Sequence, residues 1–404
     1  MKGAAPNRLV RAFQSGGCQR WAGWLLWLTP LVIMSVLVVI DPIKHSVTWT
    51  YHDAVNHWWA REPIYIGPRG MNYLPQFMLI FSPFYVLSQP LGSILWRAMS
   101  VLCLAWSLRR LIAIASPRPS TRDFFWGSLF AMPLCLGAMK FGQANVPFAA
   151  ITTLAAVLLI EQRWKSAGAA LVAAIAIKPL GLVLALLAIC GCRRLIVPVV
   201  VSGMVMLLVP FAFAPSEYVL TQYVGFIDNM RHCSQAAVEH RFANLNSILE
   251  KLSIDLSLPM QSAMNLLAAL GTLALWLFAA RRLAEPERGL LLLSLATVYL
   301  MLFNPMNESN SFVIVAPAIT AVAIRCRQTA DNQTLAWCLA ALLVAAWVLP
   351  EMLYSLDRHA RLWGKPLLAG IGFLVVVLRT KTKKGKDEKG KEDEKGVRSE
   401  WHCR

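Results

Sequence analysis

The sequence predicts an all-α polytopic integral membrane protein, and three observations carry that expectation. Of 404 residues, 57% are hydrophobic and only 15% charged. Several apolar runs reach the roughly 20 residues that an α-helix needs to cross a bilayer core. The Lys and Arg residues behind the formal charge of +17 sit in short clusters between those runs, where basic residues near helix ends resist translocation and so set topology. Basic charge gathered on a soluble domain among aromatics would point to nucleic acid. Dispersed between apolar runs it does not, and no nucleic-acid partner is expected.

The first run, 21–40, follows Lys2, Arg8, Arg11 and Arg20. It is too long for a signal-peptide core and no small-residue cleavage site follows, so it is expected to remain as the first crossing behind a basic N-terminus at 1–20. The later clusters are Arg109/Arg110 with Arg118 and Arg122, then Arg163/Lys165, Arg193/Arg194, Arg281/Arg282, Arg325/Arg327 and the tail from Arg379. Placing all of them on the cytoplasmic face of the plasma membrane yields about ten full crossings. They fall at 21–40, 91–112, 124–141, 146–162, 195–215, 260–279, 288–303, 311–325, 333–349 and 364–379, with both termini cytoplasmic.

The stretch from Ala167 to Cys190 breaks this parity, because both flanking clusters are cytoplasmic. It is expected to be a re-entrant hairpin with its tip at Lys178-Pro179, since proline interrupts the helix and leaves arms too short to cross alone. Irregular backbone at membrane depth survives only when buried in protein or lining a wet cavity. Two outer loops are long enough for structure of their own, at 41–90 and 216–258. Within the first, Thr48 to Ala60 mixes aromatic and polar residues as an interfacial amphipathic helix would. Tyr73 to Tyr85 is apolar but interrupted by Pro75 and Pro83, and suits a segment dipping into the membrane. The Lys/Glu/Asp/Gly tail at 380–404 has too little apolar surface to fold. The domain at 21–379 is therefore a single membrane unit.

No Walker loop, dinucleotide fingerprint, HExxH or GxSxG is present, and the nine cysteines lack metal-ligand spacing, so no cofactor and no metal is expected. Polar residues inside or at the rim of a bilayer are costly and mark functional positions. They are Asp41, His52, Asp53, His57, Arg97, Lys140, Gln143, Asn145, Lys178 and the run Asn304 to Ser311, which holds Asn307 and Glu308.

From Tyr51 to Pro317 the chain resembles the polyprenyl-phosphate-sugar-dependent glycosyltransferases of family 87 (DUF2029), built on the GT-C membrane fold. The resemblance rests on Tyr51-x-x-Ala54 with Tyr65, Tyr73-Leu-Pro75 with Pro83, and Leu95-Trp-Arg97. It continues through Gly142-Gln-Ala-Asn145, Ala167-Gly168 with Lys178-Pro179, and Asn304-Pro-Met-Asn-Glu-Ser-Asn-Ser311 before Pro317. It implies a GT-C-type helical bundle and a hexosyltransferase, most plausibly for mannose, taking sugar from a polyprenyl-phosphate donor to a lipid or glycan acceptor at the outer face. Such proteins usually carry the catalytic aspartate four residues before the tyrosine matching Tyr51, and that position here is Val47.

A sugar on a lipid phosphate already has a good leaving group, so one carboxylate accepting the acceptor's proton suffices. Asp53 is the first choice for that base, with Asp41 and Glu308 as alternatives. Arg97 and Lys178 suit the departing phosphate; Gln143 and Asn145 suit sugar hydroxyls, and Asn307 and Glu308 complete the substrate-binding set. Two rival readings are a transporter or flippase of a lipid-linked sugar and, because of Val47, a non-catalytic relative. Transporters often have broken helices in matching halves, and here one half alone has such a break.

Overall fold

Inside a bilayer each backbone group must be bonded within its own segment, and the computed structural model accordingly has helices and connecting turns but no strand among its described residues, 16–44, 46–65, 71–236, 242–329 and 332–390. The first helix is α1 (Gly16–Ile40), followed by α2 (Thr48–Ala60), α3 (Gln76–Tyr85), α4 (Gln89–Ala115), α5 (Thr121–Phe141) and α6 (Asn145–Ile160). The chain continues through α7 (Trp164–Ile177), α8 (Gly181–Gly191), α9 (Ile196–Leu208), α10 (Ser216–Ala236), α11 (Leu245–Lys251) and α12 (Leu258–Ala280). It ends with α13 (Glu287–Phe303), α14 (Ala316–Arg327), α15 (Gln333–Leu353) and α16 (Ala360–Gly390).

Each of the ten expected crossings coincides with a helix. Eight are long and apolar enough to span a membrane, while α6 and α13 are shorter, at 16 and 17 residues. These two short helices lie at the centre, buried over most of their length, whereas α9 and α12 turn nearly all their side chains outward. The closest pairings are α4 with α6, α1 with α5, α6 with α7, and α15 with both α14 and α16.

The arginine-bearing loops converge on one end of the bundle, hereafter the basic end, and several of their charges are drawn to carboxylates. Arg110 and Arg163 share Glu161, Arg325 reaches Glu287, and Arg327 Nη2 lies 2.7 Å from Asp123 Oδ1. Asp123 has a second task in a capping box that starts α5. Ser120 N–H donates to its Oδ2 at 2.8 Å, and Gln328 Nε2 donates to the same oxygen at 2.6 Å. Asp123→Ala therefore removes a cap and leaves the half-buried Arg327 guanidinium without its carboxylate, and should cost roughly 1–3 kcal/mol, the range for a lost hydrogen bond to a charged group. A lower thermal unfolding midpoint in detergent would show it.

The segment between Arg163 and Arg193 is a hairpin, broken where the sequence places its tip. Lys178 is extended (φ −146, ψ 127), as the residue before a proline prefers. Gly181 lets the second arm leave tightly: a Cβ there would sit 2.7 Å from Ile175 N. The arms, α7 and α8, are 14 and 11 residues long.

One expectation is corrected. The tail was expected to be unfolded from 380, yet α16 continues to Gly390. Extending an existing helix adds one hydrogen bond per residue fixed, without a new nucleus, and Lys and Glu are good helix formers. Residues 1–15 of the basic N-terminus and 391–404 of the tail lie outside the described residues.

Candidate functional site

At the end opposite the arginine loops, the turn between α5 and α6 is the foundation of the site. Gly142 closes α5 in the left-handed conformation (φ +64), and a Cβ there would lie 2.8 Å from Arg97 Cζ and 2.9 Å from Thr48 Cγ2. Glycine is thus required both by backbone conformation and by space. The turn is clamped by Val47 N–H donating to Phe141 O (3.0 Å), Trp96 Nε1 to Gly142 O (3.0 Å), and Ala144 N–H to the Tyr51 hydroxyl (3.1 Å).

On this turn stands a polar chain drawn from distant parts of the sequence. Lys178 Nζ, at the hairpin tip, donates to Asn145 Oδ1 at 2.6 Å. Asn145 Nδ2 donates to Gln143 Oε1 (3.0 Å) and to Ser311 Oγ (3.2 Å), and Gln143 Nε2 donates to Glu308 Oε2 at 2.8 Å. Gln143 and Asn145 are buried, Lys178 half-buried and Glu308 exposed, so the charged members form the open edge of the cluster. Each keeps capacity in reserve. Among the described residues Glu308 Oε1 has no protein partner, and Lys178 uses one of its three N–H groups. The Glu308 charge acts on Lys178 and on the tyrosine pair beneath.

That pair, Tyr51 and Tyr73, has its hydroxyls 3.2 Å apart in a nest with Phe77, Phe81 and Trp96. Burial pushes the Tyr51 phenol up to about 12. The folded chain then holds this proton more tightly than the unfolded one, so the stability it contributes is complete below pH 10 and is lost as pH rises from 10 to about 12. The loss is at most about 1.4 kcal/mol per pH unit. Tyr51→Phe should flatten this part of the alkaline unfolding profile, measured as thermal midpoints between pH 9 and 12.

Arg97 lies against the other side of the turn, only 1% exposed. Nη1 donates to Ser93 O (3.2 Å) and Ser93 Oγ, and Nη2 to Ser46 Oγ (2.9 Å) and Lys140 O (3.1 Å). Nε has no hydrogen-bond partner, and among the described residues no carboxylate is within ion-pair distance. With Lys44, Lys140 and Asp41 it lines a cavity of about 340 Å³ whose apolar wall is the end of α1, Met34 to Ile40. Asp41 itself accepts from Ile43 and Lys44 N–H in a turn after α1.

Of the residues singled out from sequence, Gln143, Asn145, Lys178 and Glu308 come together and Arg97 adjoins them. Two do not join the cluster's open edge. Asp53 is on the exposed face of α2, its side chain 61% exposed and 3.8 Å from His57 Nε2, because Thr48, Tyr51, Ala54, Val55 and Trp58 form the buried stripe. Asn307 is fully buried and donates to the Ala243 and Met301 carbonyls (2.7 and 2.9 Å), tying two loops together. Val47, at the position of the acid expected from the resemblance, packs part-buried against the core.

Tyr51, Tyr73 and Ser311, none of them expected from sequence as a site residue, also belong to this polar cluster or the layer beneath it. The available signal was a hydroxyl inside an otherwise apolar or Asn-rich run. In comparison with known proteins, the model of glycosyltransferase family 87 matches residues 72–305, more than half of the chain. No curated protein matches it.

Proposed function

Because the chain belongs to glycosyltransferase family 87 and is a membrane glycosyltransferase by that membership, we propose that it moves a hexose, mannose, from a polyprenyl-phosphate donor to a lipid or glycan acceptor. In this reading the site end faces outward from the plasma membrane and both termini are cytoplasmic. The observation that carries the proposal is the continuous chain Lys178–Asn145–Gln143–Glu308, which holds a free carboxylate oxygen and a free ammonium face at one rim.

The chemistry asks little more. The acceptor hydroxyl oxygen attacks the anomeric carbon, the bond to the phosphate oxygen breaks with its electron pair leaving on phosphate, and the hydroxyl proton passes to a carboxylate. Glu308 is the acid best placed for that role, and Asp53 and Asp41 are the alternatives. Lys178 would neutralise the departing phosphate, and Gln143 and Asn145 would hold sugar hydroxyls. Arg97 supports the lipid-phosphate reading independently. It is a buried guanidinium with no carboxylate within ion-pair distance among the described residues, beside a cavity lined also by Lys44, Lys140, Asp41 and an aliphatic wall.

Purified protein in oriented vesicles, given radiolabelled polyprenyl-phosphate mannose and fractionated lipid or glycan acceptors, tests the proposal. Label is expected in acceptor, from donor supplied on the site face. Donor that crosses the bilayer unconsumed would instead identify a flippase. Failure of every donor and acceptor would favour the non-catalytic relative suggested by Val47.

A further inference from the structure

A second polar cavity lies at the basic end, remote from the candidate site. It measures about 780 Å³, between the start of α7, the end of α8 and the α12–α13 connection. Its lining includes Trp164, Arg194, Arg281, Arg282, Arg288 and the carboxylate of Glu285. Glu285 is already engaged: Arg288 Nε donates to it at 2.7 Å and Gly289 N–H at 3.1 Å. Arg282 rests on the Phe278 ring, 3.8 Å from its centroid.

Charge that serves topology alone needs no cavity and is readily neutralised by neighbouring acids. Arg110, Arg163, Arg325 and Arg327 at the same end are neutralised in that way. Among the described residues Arg194, Arg281 and Arg282, like Arg109 and Arg193, have no carboxylate within ion-pair distance, but these three gather around one space. The walls beside them are apolar and turned outward. Arg194 precedes α9, which exposes Val197, Val200 and Val201, and Arg281 follows α12, which exposes Leu266, Leu267, Leu270 and Phe278. Trp276, buried on α12, ties that helix to α8, its indole donating to Leu187 O at 2.6 Å.

We propose that this cavity binds the phosphate headgroup of an anionic membrane lipid drawn from the leaflet at the basic end. Planar guanidinium groups grip phosphate oxygens in pairs, and the apolar flanks of α9 and α12 accommodate the acyl chains. Lipid there would join the broken α7–α8 hairpin to the α12–α13 pair. Because the cavity is at the other end from the Lys178 cluster, the proposal is independent of the transfer reaction.

The test titrates phosphatidylglycerol and phosphatidylcholine against the full chain in detergent, reading retained lipid by native mass spectrometry. Phosphatidylglycerol should bind at least about tenfold tighter, and R194Q/R281Q/R282Q should lose roughly a hundredfold, about fivefold for each charge near a membrane surface. Replacement of all three by lysine should fall between the unsubstituted chain and the glutamine variant, because the charge remains while the paired grip is lost, and R109Q, at the same end but outside the cavity, should leave the affinity unchanged. Should the triple glutamine variant fail to fold, R281Q alone must show the single-charge loss. Equal binding of the two lipids, undiminished affinity in the glutamine variants, or an equal loss in R109Q would overturn the site. Full displacement by inorganic phosphate at matched concentration would overturn the lipid assignment in favour of a free phosphate.

Discussion

Glu308→Gln is expected to lower sugar transfer by about 10² to 10⁴-fold while donor binding stays nearly constant, because the amide keeps the shape and the contact with Gln143 but cannot accept the acceptor's proton. The loss should therefore appear in kcat, the sign of an interaction made in the transition state. Asp53→Asn and Asp41→Asn are the comparisons. Asp53 is solvated and near His57 on the outward face of α2, and Asp41 is engaged by backbone N–H groups in its turn, so each should leave most activity. Abolished transfer in Asp53→Asn, with Glu308→Gln active, would return the base to α2.

Lys178→Met should behave differently, weakening donor binding as well as turnover. The ammonium would meet phosphate in the bound donor and again in the departing product, so its removal raises both states. A hydrogen bond to a charged group is worth about 1.5–3 kcal/mol, which corresponds to roughly 10- to 150-fold in donor affinity. Binding and turnover measured on one preparation in nanodiscs separate this pattern from that of Glu308→Gln. Unchanged donor affinity with lost turnover would remove Lys178 from the phosphate and leave it to position Asn145.

The spans were legible because their signals are local: apolar length for the crossings, arginine clusters for their ends, and one Lys-Pro for the hairpin. The pairing of Gln143 with Glu308 was not, since 165 positions separate them and no local property of either records the other. Asn307 illustrates the same limit. An amide in an Asn-rich run looks available until the fold brings the Ala243 carbonyl to it. Asp53 is a different case, because the apolar stripe Tyr51, Ala54, Val55 and Trp58 already puts it on the opposite face at helical period. The charged tail misled because composition speaks to independent folding, whereas an existing helix can be prolonged without it.

The hairpin also constrains how the chain enters the membrane during synthesis. Neither arm, at 14 and 11 residues, is long enough to partition stably by itself, and the polar tip finds its partner Asn145 on a helix that must already be in place. The seating of this segment therefore rests on the preceding span and on α9, which packs against α7. Without the interruption at Lys178-Pro179, the apolar stretch could instead be threaded as one ordinary span. By the positive-inside rule every following loop would then be expected on the side that its own arginines disfavour.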